Sequence, residues 1–268
     1  MTSPRVLVEI DGAVAHVILN RPDKLNGVDL EMLRGLVAAA TSLRRNREIR
    51  AVILRGNGDA FCAGLDFASV MERPAGVVRS FLPSPLRGTN LFQRAHWVWR
   101  ELPVPVLAVV HGRCYGAGLQ LAAAADFRYS TPDCEWSVLE AKWGLVPDMA
   151  GTVPLGELVA PDVAKRLTMT GEIVSGTRAR ELGLVSEVDE NPLAAALSFV
   201  DVLATRSPDS VAASKKLLNE TRGGRPRRAF RIERRLQFAM LRSANAKIAR
   251  TANFAKRDPE FGPRKWRR

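Results

Sequence analysis

Two apolar runs, Arg5–Ile10 and Val14–Leu19, flank Asp11-Gly12 near the start of the chain. Near-alternating patterns on either side of an Asp-Gly pair predict two strands joined by a hairpin turn. Apolar residues then recur at Leu30, Leu33, Leu36, Val37, Ala40 and Leu43. This spacing keeps one face of a helix apolar, and Asp29 stands where an N-cap belongs. Ala51–Arg55 predicts a short strand, broken by Gly56-Asn57-Gly58-Asp59. Met71–Asn90 has no steady period and predicts a mobile or partly helical loop. Leu91–Leu102 predicts a helix stopped by Pro103 and Pro105, and Pro105–Val110 a strand apolar enough for burial on both faces. Gly116–Ala125 is small and apolar and predicts a packed helix, followed by strands at Asp126–Ser130 and Leu184–Val188. Beyond that the pattern is helical throughout: Pro192–Thr205, Pro208–Thr221, Pro226–Ser243 and a shorter stretch near Ala244–Lys256. Strands and helices alternate first and helices alone follow. The expectation is an α/β layered core with parallel crossovers and a helical C-terminal part.

Composition changes this picture little. The 268 residues suffice for a sizeable core, and 46% hydrophobic with 25% charged residues is an ordinary globular balance. No apolar run approaches the roughly 18 residues of a membrane helix, and Met1–Glu9 lacks the pattern of a secretory leader. Cys62, Cys114 and Cys134 have no C-x-x-C spacing, and His16, His96 and His111 lie on unrelated segments. Neither a disulfide framework nor a metal site is expected, and a cytoplasmic location is the default. Charge is less ordinary. Arg222–Arg268 holds 16 Lys+Arg against 3 Asp+Glu, an excess larger than the net +12 of the whole chain. Such a tail suits a solvated helical face, a site for an anionic ligand, or a subunit contact. Nucleic-acid or membrane-surface binding is a further reading.

Two segments invite chemistry. Phe61-Cys62-Ala63-Gly64-Leu65-Asp66 follows a strand and a glycine turn, and His111-Gly112-Arg113-Cys114-Tyr115-Gly116-Ala117-Gly118 follows the buried strand at 105–110. Both place small residues where a strand gives way to a helix. Unpaired N–H groups and partial positive charge gather there. Two such turns converging on one oxygen would form an oxyanion hole. Alone, each motif is weak, and Gly-Ala-Gly more often marks close helix packing than a binding site. A dinucleotide reading of Gly116-x-Gly118 fails, because Leu121 stands where the third glycine belongs.

Taken in order, these segments resemble the crotonase (enoyl-CoA hydratase/isomerase) superfamily. The resemblance begins at Leu19-Asn20-Arg21-Pro22 and runs through Asn26 and Phe61–Asp66. It continues through Gly116-Ala117-Gly118-Leu119-Gln120-Leu121, Ala125-Asp126 and Glu140-Ala141-Lys142-Trp143-Gly144-Leu145-Val146-Pro147. It spans Val6 to Phe261. It implies a crotonase-like layered ββα core over residues 1–191 carrying the CoA-thioester site. A C-terminal helical trimerisation region over 192–268 would follow.

The resemblance also implies the chemistry. Backbone N–H groups of Ala63 and Ala117 would hold the thioester oxygen while an enolate forms, each preorganised donor contributing about 3–4 kcal/mol. The family's two acid/base positions fall on Gln120 and Glu140, where hydratases carry glutamate at both. Gln120 cannot exchange a proton near neutral pH, although its amide can orient a water. Glu140 alone can carry a proton between two carbons, and burial should raise its pKa. Asp148 resembles an aspartate of the dienoyl-CoA isomerases and would join the catalytic group; an N-cap is its plainer reading. Gly64, Leu65, Asp66 and Gly116 would surround the bound thioester. Lys24, with Arg21, would face the CoA phosphates at the entrance, and Phe254 and Lys256 would approach the nucleotide, often from a neighbouring subunit. His96, Trp97 and Trp99 read as core or pocket wall, Asp126 as structural and Cys62 as a buried filler. The expected partner is an acyl-CoA substrate, with coenzyme A part of that substrate and no separate cofactor. The expected assembly is a homotrimer or dimer of trimers. The activity stays open between hydratase, double-bond isomerase, and a noncatalytic acyl-CoA or RNA-binding protein on this fold.

Overall fold

Alternation at the N-terminus becomes an antiparallel hairpin, β1 (Val6–Asp11) with β2 (Val14–Leu19), in register from Val6 opposite Leu19 to Asp11 opposite Val14. The computed structural model describes residues 3–71, 74–224 and 226–266. Strands β3 (Ala51–Gly56), β4 (Val106–Val110), β6 (Phe127–Ser130) and β8 (Glu187–Val188) extend the hairpin in parallel, in the order β1-β2-β3-β4-β6-β8. A separate parallel pair, β5 (Arg113–Tyr115) and β7 (Glu135–Ser137), stands beside them.

The parallel pairs need crossovers, which helices supply. The helices are α1 (Leu30–Arg45), α2 (Phe67–Met71), α3 (Pro74–Phe81), α4 (Leu91–Trp97), α5 (Ala117–Ala123) and α6 (Thr152–Leu158). They continue with α7 (Pro161–Thr170), α8 (Gly176–Glu181), α9 (Pro192–Ala204), α10 (Pro208–Thr221), α11 (Pro226–Leu241) and α12 (Ala244–Phe254). Asp29 caps α1 as expected, its carboxylate accepting from Met32 N at 2.7 Å. Asn90 and Gln93 form a reciprocal capping box on α4. That helix ends at Trp97, and turns carry the chain through Leu102. The irregular stretch from Met71 to Asn90 contains α3 and a turn; Glu72 and Arg73 within it lie outside the described residues.

Period-2 patterning in the central strands explains why the sheet is covered on both faces. Val52 and Leu54 of β3, with Val106, Ala108 and Val110 of β4, face a large cluster shared with α1, α4 and α5. The intervening Ala51, Ile53, Leu107 and Val109 face the other way, against Ala196 and Val200 of α9. The helix just past residue 191 therefore packs on the sheet, while α10, α11 and α12 pack among themselves. Among the described residues no helix is long and apolar enough to cross a membrane.

Candidate active site

Backbone hydrogen bonds zip the two glycine-containing turns together. Phe61 N donates to His111 O and Cys62 N to Arg113 O, both at 2.9 Å, and Tyr115 N donates to Cys62 O at 3.0 Å. Glycine is required where the turns touch. A Cβ on Gly118 would lie 2.5 Å from Cys62 O. Gly116, at φ 48 and ψ −111, adopts a conformation closed to L side chains as it opens α5.

Among the N–H groups that this bonding leaves over are those of Leu65 and Ala117. Val28 N donates to Gly64 O at 2.8 Å and Asp66 N donates to Val28 O at 3.0 Å, so Val28 and Leu65 form a parallel bridge. In such a bridge the residue between the two bonded groups turns its own N–H away, and among the described residues Leu65 N–H has no acceptor. Ala117 is the first residue of α5, so its N–H has no partner within the helix. Ala63 differs from expectation: its N–H donates to Leu25 O at 2.9 Å and is not available to a substrate oxygen. An unspent donor on that loop lies two residues further on, at Leu65. Pairing with Leu25 and Val28, remote in sequence, decides this, and no local pattern signals it.

Glu140 lies half-buried on a 3-10 turn, Leu139–Trp143. Its Oε1 accepts from Gln120 Nε2 at 2.6 Å, while Oε2 is buried with no hydrogen-bond partner among the described residues. Burial raises its pKa, and the like charge of Asp148 adds to the shift. Burial of its carboxyl likewise raises Asp148, although the residue as a whole is exposed. Gln120, only 1% exposed, is fully engaged. Its Oε1 accepts from Met149 N at 2.9 Å and Gly151 N at 3.0 Å, which fixes the loop carrying Asp148.

Other expected residues have structural employment. Asp66 accepts from Ser69 Oγ at 2.6 Å and pairs with Arg21 Nη1 at 2.8 Å. The Ser69 hydroxyl and Arg21 outweigh burial and hold its carboxyl at about 2. It braces the loop rather than facing substrate, and buried Arg21, bonded also to Gly27 O, is not a phosphate contact. Asp126 accepts from Val106 N and pairs with Lys215 Nζ at 2.6 Å. Burial pushes the Cys62 thiol up to about 12. His96 is fully buried against Phe92 O and Ala117 O, and burial lowers it to about 4. Lys24 ends an exposed 3-10 turn, and Phe254 and Lys256 lie exposed at the C-terminal end of α12. None of these three lines the cavity described next.

A cavity of about 400 Å³ gathers the rest. Gly64, Leu65, Gly116, Ala117, Glu140 and Asp148 line it, and Phe67, Val70, Phe81, Phe92, Trp143 and Met149 supply much of the remainder. An apolar pocket with few convergent polar groups and displaced carboxyls is the common form of a small-molecule site. Among the described residues no group of His, Cys, Asp or Glu could hold a metal ion.

The family model for enoyl-CoA hydratase/isomerase matches residues 9–264. The chain belongs to this family. A Mycobacterium tuberculosis enoyl-CoA hydratase, EchA19, is 30% identical, with 97% of each chain covered. A peroxisomal Delta(3,5)-Delta(2,4)-dienoyl-CoA isomerase of Arabidopsis thaliana is also 30% identical, covering 94% of this chain and 93% of that one. Among solved structures, an enoyl-CoA hydratase of Mycobacterium smegmatis aligns with a TM-score of 0.84 at 30% identity, over 96% of this chain and 99% of that one. This member of the enoyl-CoA hydratase/isomerase family thus has relatives named for either reaction.

Proposed function

We propose that the enzyme moves a carbon–carbon double bond within an enoyl- or dienoyl-CoA thioester. The observation that carries this reading is the state of Gln120. Where a second carboxylate would activate water, a neutral amide spends its oxygen on Met149 N and Gly151 N and an N–H on Glu140. Adding water asks for a group that can exchange its proton. Moving a double bond asks only for a base that takes a proton from one carbon and an acid that returns one at another.

The N–H groups of Leu65 and Ala117 would receive the thioester oxygen as it gains charge. Glu140 removes a proton from an activated carbon of the acyl chain, and the electron pair moves into the enolate. The proton returns at a carbon further along, from Glu140 or from Asp148, and the double bond settles in its new place. No atom is gained or lost, so the step consumes no separate cofactor. Two carboxyls, both with raised pKa values, suit this traffic near neutral pH. Similarity to the Arabidopsis dienoyl-CoA isomerase supports the reading. Lys24, with Phe254 and Lys256 of a neighbouring subunit, would receive the CoA nucleotide in a trimeric or hexameric assembly.

Turnover of a panel of 2-enoyl-, 3-enoyl- and 3,5-dienoyl-CoA thioesters tests the proposal, with products separated by chromatography. The wild-type enzyme should yield isomers, and Asp148→Asn should slow the dienoyl substrate most. Gln120→Glu should add a hydration product from the 2-enoyl thioester. Hydration as the dominant wild-type reaction would refute the assignment.

A further inference from the structure

Five aromatic side chains line the cavity, Tyr115 and two pairs. Phe67 and Trp143 lie 5.6 Å apart between ring centroids at 44°, and Phe81 and Phe92 lie 4.6 Å apart at 34°. Only Phe92 is buried. Trp143 is 62% exposed, Phe81 46% and Phe67 37%. The chain is poor in aromatic residues, which make up 6% of it, so five around one cavity is a concentration. Neither pair is stacked face to face, and Phe67, Phe81 and Trp143 keep exposed surface.

These rings sit on separate supports. Phe67 opens α2 and Phe81 ends α3, Phe92 belongs to α4, and Trp143 closes the 3-10 turn that bears Glu140. A group reaching past Glu140 and Asp148 therefore meets aromatic surface from more than one side. Aliphatic side chains would bury an alkyl chain equally well. What aromatic walls add is the quadrupolar attraction of ring for ring, about 0.5–1.5 kcal/mol per pair beyond the area buried. Space does not oppose a ring: an apolar cavity of about 150 Å³ accepts benzene, and this one is about 400 Å³.

We infer that the acyl group this site selects bears an aryl ring, held between the Phe67–Trp143 and Phe81–Phe92 pairs. The inference rests on the acyl-CoA reading of the cavity but not on which reaction follows. Its test therefore uses saturated thioesters that cannot react. 3-Phenylpropanoyl-CoA and nonanoyl-CoA have the same number of acyl carbons, and calorimetric titration gives the affinity of each. Burial of apolar area alone favours the longer alkyl chain. Ring recognition reverses the order, and the phenyl thioester should bind about fivefold more tightly, within the roughly 2- to 13-fold range of one aromatic pair. Trp143→Leu, at an exposed position outside the core, should bring the ratio of the two affinities to about one, and Phe81→Leu, in the other pair, should lower it as well. Equal or tighter binding of nonanoyl-CoA overturns the inference, as does an equal loss of both ligands in Trp143→Leu. The isomerase proposal would stand in either case. Failure of both thioesters to bind would remove the acyl-CoA reading and this inference together.

Discussion

Glu140, the proposed proton carrier, sits where it does at some cost to the fold. One of its oxygens is buried without a hydrogen-bond partner among the described residues, and burial raises its pKa above the ordinary 4.5. Below that ordinary value the carboxyl is protonated whether the chain is folded or not. As pH rises, the unfolded chain ionises first, so the folded state loses stability until the raised pKa is passed. Glu140→Gln removes the ionisation and keeps an oxygen for the Gln120 amide. The variant should lose about 100- to 10,000-fold in turnover. It should also melt higher than wild type at pH 7, by about 2–4 °C for each kcal/mol recovered, with the gap closing near pH 4. Thermal denaturation at the two pH values, beside a turnover assay, checks both halves. An unchanged rate would place the proton transfer elsewhere. Glu140 and Gln120 were legible in the sequence because a motif of fixed spacing carries them. Leu65 was not, since its free N–H depends on which neighbours Leu25 and Val28 choose. Asp66 misled because a carboxylate in a functional loop reads the same whether it meets substrate or arginine.

Elements were legible where periodicity and caps agree. Helices α1, α9 and α10 follow the apolar spacing closely, and the all-apolar β4 is buried along its length. Between Thr131 and Leu184 the sequence offered little. β7 has only three residues, α8 is a polar single turn and a half, and the 3-10 turn bearing Glu140 has no period of its own. These short pieces are set by tertiary contact, such as the bridge of Trp136 to Val174. One contact between distant elements is a tether. Lys215 of α10, almost fully buried, donates to Trp99 O and Val104 O and pairs with Asp126. It joins the C-terminal helices to the entry of β4. Lys215→Met leaves those acceptors unanswered and should destabilise by about 3–5 kcal/mol, read from urea denaturation. Asp126→Asn in that background should restore part of the loss; a neutral Lys215→Met would show the tether to be ornamental.

For the molecule as a whole, the C-terminal helices present more apolar surface than their own packing covers. Leu218, Phe230, Phe238 and Leu241 are exposed among arginines, and Phe254 is 90% exposed. Arg242 lies over the Phe238 ring at 4.1 Å. Contiguous exposed apolar residues rimmed by charge suit a contact between copies, and the surrounding charge sets how copies meet. Light scattering at micromolar concentration should report a mass three or six times that of the chain, and Phe230→Asp should reduce it. A monomer in the wild type would leave the nucleotide role of Phe254 and Lys256 without a neighbouring subunit to act in.

The socket around Gln120 has a consequence for descent. Glutamine and glutamate codons differ at their first base alone, and the two side chains have nearly the same shape. The backbone N–H groups of Met149 and Gly151 that hold the amide oxygen would hold a carboxylate at least as well. A lineage with this scaffold stands one nucleotide away from a second carboxylate, and crossing that step leaves the helix and the loop it anchors in place. On the proposed reading of Gln120, reaction type could then drift between close relatives faster than the fold records, and the base at one codon would say more about the chemistry than the gene's ancestry.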